Sequence, residues 1–175
     1  INVKLVDPLR LEDIEQAINE KTRFVYMETI TNPGMEIADI KSISQIAHSN
    51  GIPLLIDNTL ASPWLCRPIE LGADIVLHST TKYLSGHGGA LGGVVVDAGN
   101  FNWANEKFSD FAPFVEQKGN LAFLHRLFKE HHINFGTTPA PLHSYLTAIG
   151  LNTLGLRMER HMENAIKVAA FLKEQ

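Results

Sequence analysis

Pro53-Leu54-Leu55-Ile56-Asp57-Asn58-Thr59 is the stretch on which the fold turns. Four apolar residues in a row, without the alternation of a half-exposed strand, have the pattern of a strand buried on both faces. They stop abruptly at three polar residues. Two other stretches repeat the arrangement: Phe24-Val25-Tyr26-Met27 stops at Glu28-Thr29, and the strand pattern of residues 74–77 stops at His78-Ser79. Between the first two lies a helical pattern with Asp39 as its cap. Ile40, Ile43, Ile46 and Ala47 share one face of it, and Asn50-Gly51 closes it. A short helix around Pro68–Leu71 leads through Gly72 into the third strand. Upstream, Asp7-Pro8 has the form of a cap and first-turn pair for a helix carrying Leu11, Ile14, Ala17 and Ile18. Asn32-Pro33-Gly34 is turn chemistry, and residues 93–96 supply a further strand. Strand, crossover helix and strand, repeated, predict an α/β fold: a mostly parallel sheet with helices on both faces.

The chain has 175 residues and a formal net charge of −4, with 45% hydrophobic and 19% charged residues. That is enough for one domain with a proper core and too apolar for a disordered chain. No uncharged stretch approaches the roughly 20 residues of a membrane helix, so no membrane partner is expected. A mildly acidic chain without a Lys/Arg cluster is a poor nucleic-acid binder. The single cysteine, Cys66, excludes an internal disulfide and suits a reducing compartment, with a cytoplasmic location expected. The chain opens at Ile1 without Met and closes at Gln175 inside a helical pattern, so it is expected to be part of a longer protein. Residues 101–128 hold six of the nine Phe; core packing under a long loop is the favoured reading, with a subunit contact or site cover as the alternative. From Pro139 the pattern is helical. Met158, Met162, Ala165, Ile166, Ala169 and Leu172 fit one face of a long helix at about residues 152–175.

In an open parallel sheet, ligands bind beyond the carboxyl ends of the strands. Here three successive strands end in polar groups: Glu28, Thr29 and Asn32, then Asp57, Asn58 and Thr59, then Ser79, Thr80, Thr81 and Lys82. Any one set is compatible with a simple turn; three on one sheet edge describe a site. Asp57 follows four apolar residues, so its carboxylate is expected to be partly desolvated and in need of a cation or donors. Lys82 is open to three readings: a surface cation, a phosphate binder, or an amine nucleophile. Ser79 and Thr81 flank it closely enough to hold an anion. The run Gly86-His87-Gly88-Gly89-Ala90-Leu91-Gly92-Gly93 allows close backbone approach or tight turning. Pyridoxal phosphate (PLP) meets all of these demands at once. Its aldehyde needs a lysine amine, its ring nitrogen a carboxylate, and its phosphate hydroxyl and backbone donors.

Competing chemistries fit less well. No Gly-Lys-Ser/Thr follows the glycines, as a nucleotide P-loop requires. Leu91 stands where a dinucleotide fingerprint needs glycine. His125, His131 and His132 lack a further ligand at a recognised spacing, so no metal is expected. His87 either lines the site or turns the loop. Cys66 is weighed as a packed residue ahead of a nucleophile.

Glu28-Thr29-Ile30-Thr31-Asn32-Pro33, Asp57-Asn58-Thr59, His78-Ser79-Thr80-Thr81-Lys82-Tyr83 and Gly86-His87-Gly88 resemble the Cys/Met-metabolism family of PLP enzymes. The similarity runs from Asp7-Pro8 to Leu156-Arg157-Met158-Glu159-Arg160-His161, and Ser-x-Thr-Lys is its most specific block. The stretch 69–82 and Gly92-Gly93-Val94-Val95-Val96-Asp97 look most like the O-acetylhomoserine sulfhydrylase (homocysteine synthase) branch. The resemblance implies an aspartate-aminotransferase-like large cofactor domain (fold type I), present in part. It implies that Lys82 carries the cofactor and moves a proton at the substrate Cα. Asp57 would pair with the pyridine nitrogen, Asn32 would contact the ring hydroxyl, Thr59 would lie close to the ring, and Ser79 with Thr81 would bind phosphate. Burial beside a cationic ring would hold the Lys82 amine below its ordinary pKa.

The implied reaction is a γ-replacement on O-acetylhomoserine by sulfide or a thiol, giving homocysteine or methionine. It implies a small-molecule amino-acid substrate and a homo-oligomer, a homotetramer or dimer of dimers, with shared sites. A methionine γ-lyase or a cystathionine γ-synthase or γ-lyase of the same family is the alternative. A non-catalytic sulfur-carrier or regulatory partner that keeps the fold is the alternative of another class. The family's cofactor-stacking tyrosine is expected before Ile1, and its substrate-carboxylate arginine in a C-terminal domain after Gln175. Residues 108–143, above all Phe135-Gly136-Thr137-Thr138-Pro139-Ala140-Pro141, depart from the family sequence and are expected to approach the site.

Overall fold

The computed structural model describes residues 1–175. In chain order its elements are α1 (Leu11–Ala17), β1 (Val25–Glu28), α2 (Ile40–Ser49), β2 (Leu54–Asp57), α3 (Ser62–Leu65), β3 (Ile75–Ser79), β4 (Gly93–Asp97), α4 (Ala112–Lys118), α5 (Ala122–Arg126), α6 (Ile133–Phe135), α7 (Pro141–Leu151) and α8 (Leu154–Lys173). The strands form one sheet in sequence order. β1, β2 and β3 are parallel, with Glu28 beside Asp57 and Asp57 beside Leu77. β4 returns antiparallel to β3, pairing Gly93 with Ser79. The connection between β3 and β4 is one wide helical turn, Thr80–Leu84, and a run of glycines, with no crossover helix to carry the chain back for a parallel return. The sheet is therefore mostly parallel, as its sequence predicts, with one antiparallel edge.

Because side chains alternate along a strand, Leu54 and Ile56 face one side and Leu55 and Asp57 the other. On the first side, Ile14 of α1 and Ile40, Ile43 and Ala47 of α2 pack on Leu54, Ile56 and Val76. Ile43, Leu54 and Ile56 are fully buried, each contributing about 1.5–3 kcal/mol. The Asp39 carboxylate caps α2 by accepting from the Ser42 N–H at 3.1 Å, as the sequence predicts. On the second side, Phe101, Trp103, Phe108 and Phe111 pack against Ile75, Leu55 and Leu77. Trp103 stacks on Phe111 at 4.7 Å and on Phe123 at 5.3 Å. The aromatic segment is thus the second half of the core, and the packing reading holds.

One expectation needs correction. Asp7 does not cap α1: its carboxylate accepts from the Leu9 N–H at 2.9 Å, closing a local turn, and the helix begins at Leu11 after Arg10. The apolar face of α8 is covered only at its start. Leu154 and Met158 pack on Leu84 and Tyr83, whereas Met162, Ile166 and Leu172 are exposed. At the amino ends of the strands, the buried Asp74 carboxylate accepts from the Leu54 N–H and bonds His48 Nε2, both at 2.8 Å. This ties α2 to the sheet at the end opposite the polar edge.

Candidate functional site

The carboxyl ends of β1, β2 and β3 share one edge, and hydrogen bonds knit their polar residues together. Asp57 is half-buried at the end of β2. Its Oδ1 accepts from the Thr59 N–H at 2.9 Å, and Thr59 Oγ1 accepts from the Ser79 N–H at 2.7 Å. Three of the sequence-predicted residues, from two strands, are therefore one connected unit. Asn32 stands at the end of β1, where its N–H donates to Glu28 Oε2 at 2.9 Å and its peptide bond to Pro33 is cis.

Behind this unit lies Asn58, fully buried. Its Oδ1 accepts from the Thr29 hydroxyl at 2.7 Å and its Nδ2 donates to the Cys66 carbonyl at 2.8 Å. Its backbone N–H donates to the Leu77 carbonyl at 2.8 Å. One residue thus fixes the Asp57–Thr59 turn: its side chain to the end of β1 and the end of α3, its backbone to β3. Sequence reasoning quoted Asn58 and Thr29 without giving either a role. The available signal was an amide directly after a doubly buried strand, which needs partners for all its polar atoms.

Lys82 sits in the turn Thr80–Leu84, where its φ of −90° and ψ of −123° leave the helical region. It is exposed, so the expected burial is not supplied within this chain. The turn projects past the sheet edge, beyond both halves of the core. Thr81 is partly committed elsewhere: its Oγ1 accepts from the Gly92 N–H at 3.0 Å and donates to the Gly92 carbonyl at 3.3 Å, closing the glycine-rich loop. His87 turns that loop, with Nδ1 2.7 Å from the Ser85 carbonyl. Cys66 is partly buried, and burial pushes its thiol pKa up, the condition of a packed residue. His132 lies between the Thr137 and Thr138 hydroxyls, each at 3.1 Å, and His125 faces Gln117. No group of three or more His, Cys, Asp or Glu side chains is arranged to hold a metal ion.

Two further titratable groups surround Asp57. The Tyr26 hydroxyl is held above its ordinary pKa, first by burial, then by the charges of Asp57 and Glu28 and a hydrogen bond to Asp57. The His78 imidazole is held below its ordinary value by burial, against the opposing pull of the Asn58 carbonyl and the Asp57 charge. A cavity of about 230 Å³ between the glycine-rich loop and α7 is lined by Thr80, Gly92, Pro139 and His143. The stretch around Pro139 therefore approaches the lysine turn.

A fixed carboxylate, neighbouring hydroxyls and an exposed amine one strand away form a donor set that suits a protonated heteroaromatic ring bearing an aldehyde. The sequence matches the family described as Cys/Met metabolism PLP-dependent enzyme over residues 1–175. The chain belongs to that family. Within the Cys/Met-metabolism PLP enzymes it is 41% identical to an O-acetyl-L-homoserine sulfhydrylase of Leptospira meyeri, over 99% of this chain and 43% of the relative. It is 40% identical to a homocysteine/cysteine synthase of Saccharomyces cerevisiae, over 99% of this chain and 42% of the relative. The chain thus spans less than half the length of these curated relatives. An O-acetylhomoserine (thiol)-lyase structure from Campylobacter jejuni superposes with a TM-score of 0.88 at 34% identity, covering 97% of this chain and 44% of that one. That structure contains a pyridoxyl-lysine phosphate residue. The fold is accordingly that of the fold type I PLP enzymes, and the family's cofactor is PLP.

Proposed function

We propose that the full-length protein catalyses γ-replacement on O-acetylhomoserine with sulfide or a thiol, giving homocysteine or methionine. The observation that carries this reading is the 40–41% identity to an O-acetylhomoserine sulfhydrylase and a homocysteine/cysteine synthase, with the hydrogen-bonded Asp57–Thr59–Ser79 unit and Lys82 one turn beyond it supporting the cofactor. PLP, when bound, supplies a sink for the electron pair released at the substrate Cα. Residues 1–175 form part of its large cofactor domain, with α8 leading towards a C-terminal substrate domain.

The residues of this chain divide the work. Lys82 holds the cofactor through its Nζ and, when displaced by substrate, accepts and returns the Cα proton. Asp57 faces the pyridine nitrogen and keeps it protonated, its own orientation set by the Thr59 N–H. Thr59, whose hydroxyl oxygen Ser79 anchors, would lie close to the ring. Asn32 contacts the ring hydroxyl, while Ser79 and Thr81 receive the phosphate; for Thr81 this means sharing its hydroxyl with Gly92. The reading includes a homo-oligomer, a homotetramer or dimer of dimers, as the family resemblance implies. A single free cysteine supports a reducing, cytoplasmic location.

The test is borohydride reduction of the full-length protein followed by peptide mass mapping. A pyridoxyl adduct on Lys82 is expected; none after addition of excess cofactor overturns the reading. Product analysis with O-acetylhomoserine and sulfide, against methionine or cystathionine alone, separates replacement from elimination.

A further inference from the structure

The turn that carries Lys82 is held from behind by the elbow between α7 and α8. The Lys82 carbonyl accepts from the Gly86 N–H at 2.8 Å. Arg157, in the first turn of α8, lays its guanidinium on Gly86: a Cβ at position 86 would stand 2.4 Å from Arg157 Cζ. The same guanidinium donates from Nη2 to the Gly150 carbonyl at 2.8 Å and from Nε to Thr153 Oγ1 at 3.0 Å. Gly150 is itself pressed on the turn, since a Cβ there would lie 2.1 Å from the Ser85 carbonyl oxygen. Tyr83 meets His161 of α8 with ring centroids 5.3 Å apart.

A cation at the carboxyl end of α7 complements the helix dipole, but that role needs only the Gly150 contact. It does not explain a planar group seated flat on Gly86. Gly86 has φ +71°, so the turn already calls for glycine; the guanidinium adds the demand that nothing project from its Cα. A lysine at 157 would keep the charge and lose the flat, forked contact.

We infer that Arg157 is a positioning residue for Lys82: it clamps Gly86 to Gly150 and so fixes the direction in which the lysine leaves its turn. The inference rests on Lys82 being the cofactor-bearing lysine, but its first readout does not need the cofactor. In cofactor-free full-length protein, hydrogen exchange of the peptide containing Gly86 is expected to be about tenfold faster in Arg157→Ala, which removes the guanidinium packed on Gly86 together with its bonds to Gly150 and Thr153. Arg157→Lys, a milder change, is expected to accelerate it by a smaller factor. In the loaded protein, the pH midpoint of the lysine-bound cofactor's absorbance is expected to move by at least about half a unit in Arg157→Ala, without rescue by Arg157→Lys. Unchanged exchange and an unmoved midpoint, with only a lower melting temperature, overturn the inference and leave a helix cap. Faster exchange in a protein that forms no Lys82 adduct supports the clamp while sinking the cofactor reading, so the two failures are distinguishable.

Discussion

Thr29→Val isolates the side-chain bond between the Asp57–Thr59 turn and the end of β1. Thr29 is 5% exposed and Asn58 is 0% exposed, with the hydroxyl and the amide oxygen 2.7 Å apart. Valine has nearly the shape of threonine, so the perturbation is the hydroxyl and not a cavity. Losing a neutral hydrogen bond costs about 1 kcal/mol, and leaving the Asn58 oxygen unpaired away from water raises this to about 1–3 kcal/mol. The added methyl group recovers at most about 0.8 kcal/mol. The net expectation is a loss of about 1–2 kcal/mol, or a factor of about 5–30 in the ratio of folded to unfolded protein. Urea denaturation of cofactor-free full-length protein measures it without the stabilisation that a bound ligand adds. Thr29→Ser is the control: it keeps the hydroxyl, gives up one methyl group, and is expected to lose no more than about 1 kcal/mol. Thr29→Val within about 0.5 kcal/mol of wild type, or Thr29→Ser as damaging as Thr29→Val, would refute the reasoning and assign the site's rigidity to packing.

Three further perturbations follow from the same geometry. Asp74→Ala leaves the Leu54 N–H without its acceptor and His48 Nε2 without its partner, and is expected to cost about 3 kcal/mol in urea denaturation; Asp74→Asn, which still offers an oxygen, should cost less. Asp97 is held above its ordinary pKa chiefly by burial, and its Oδ2 has no hydrogen-bond partner. Its protonated form is therefore favoured by folding, so this group's contribution is present below about pH 4 and is lost as pH rises through the raised folded value. Asp97→Asn should gain on wild type at pH 7 and lose that advantage at pH 3; equal stabilities at both would exclude the effect. His78 is held below its ordinary pKa by burial, so its contribution is present above about pH 6.5 and is lost as pH falls through the lowered folded value. His78→Gln should flatten the stability profile between pH 7 and pH 5, and parallel profiles would show that other groups govern it.

What the sequence by itself determined was the pattern that strand burial imposes. Pro53 to Ile56 could be read as a two-faced strand because no polar residue interrupts it, and Asp57 was marked because it ends that run. Asp39 was legible as a cap because its partner, Ser42, is three residues away. Local chemistry of this kind is written in neighbouring residues. The same reasoning failed at Asp7, where two local options, cap and turn, use the same carboxylate and differ by little free energy.

Tertiary structure alone decided the rest, because each remaining feature depends on groups far apart in the chain. Thr29 and Asn58 become partners only when β1 and β2 pair, 29 residues apart. Thr59 reaches Ser79 only across β2 and β3. The exposure of Lys82 follows from where its turn projects beyond the sheet, which periodicity does not encode. Arg157 stands in the sequence only as part of a family block; the α7–α8 elbow is what lays it on Gly86. A residue's type and spacing fix what it can do locally; which distant group it meets is set by how the packed layers bring the strand ends and helices together.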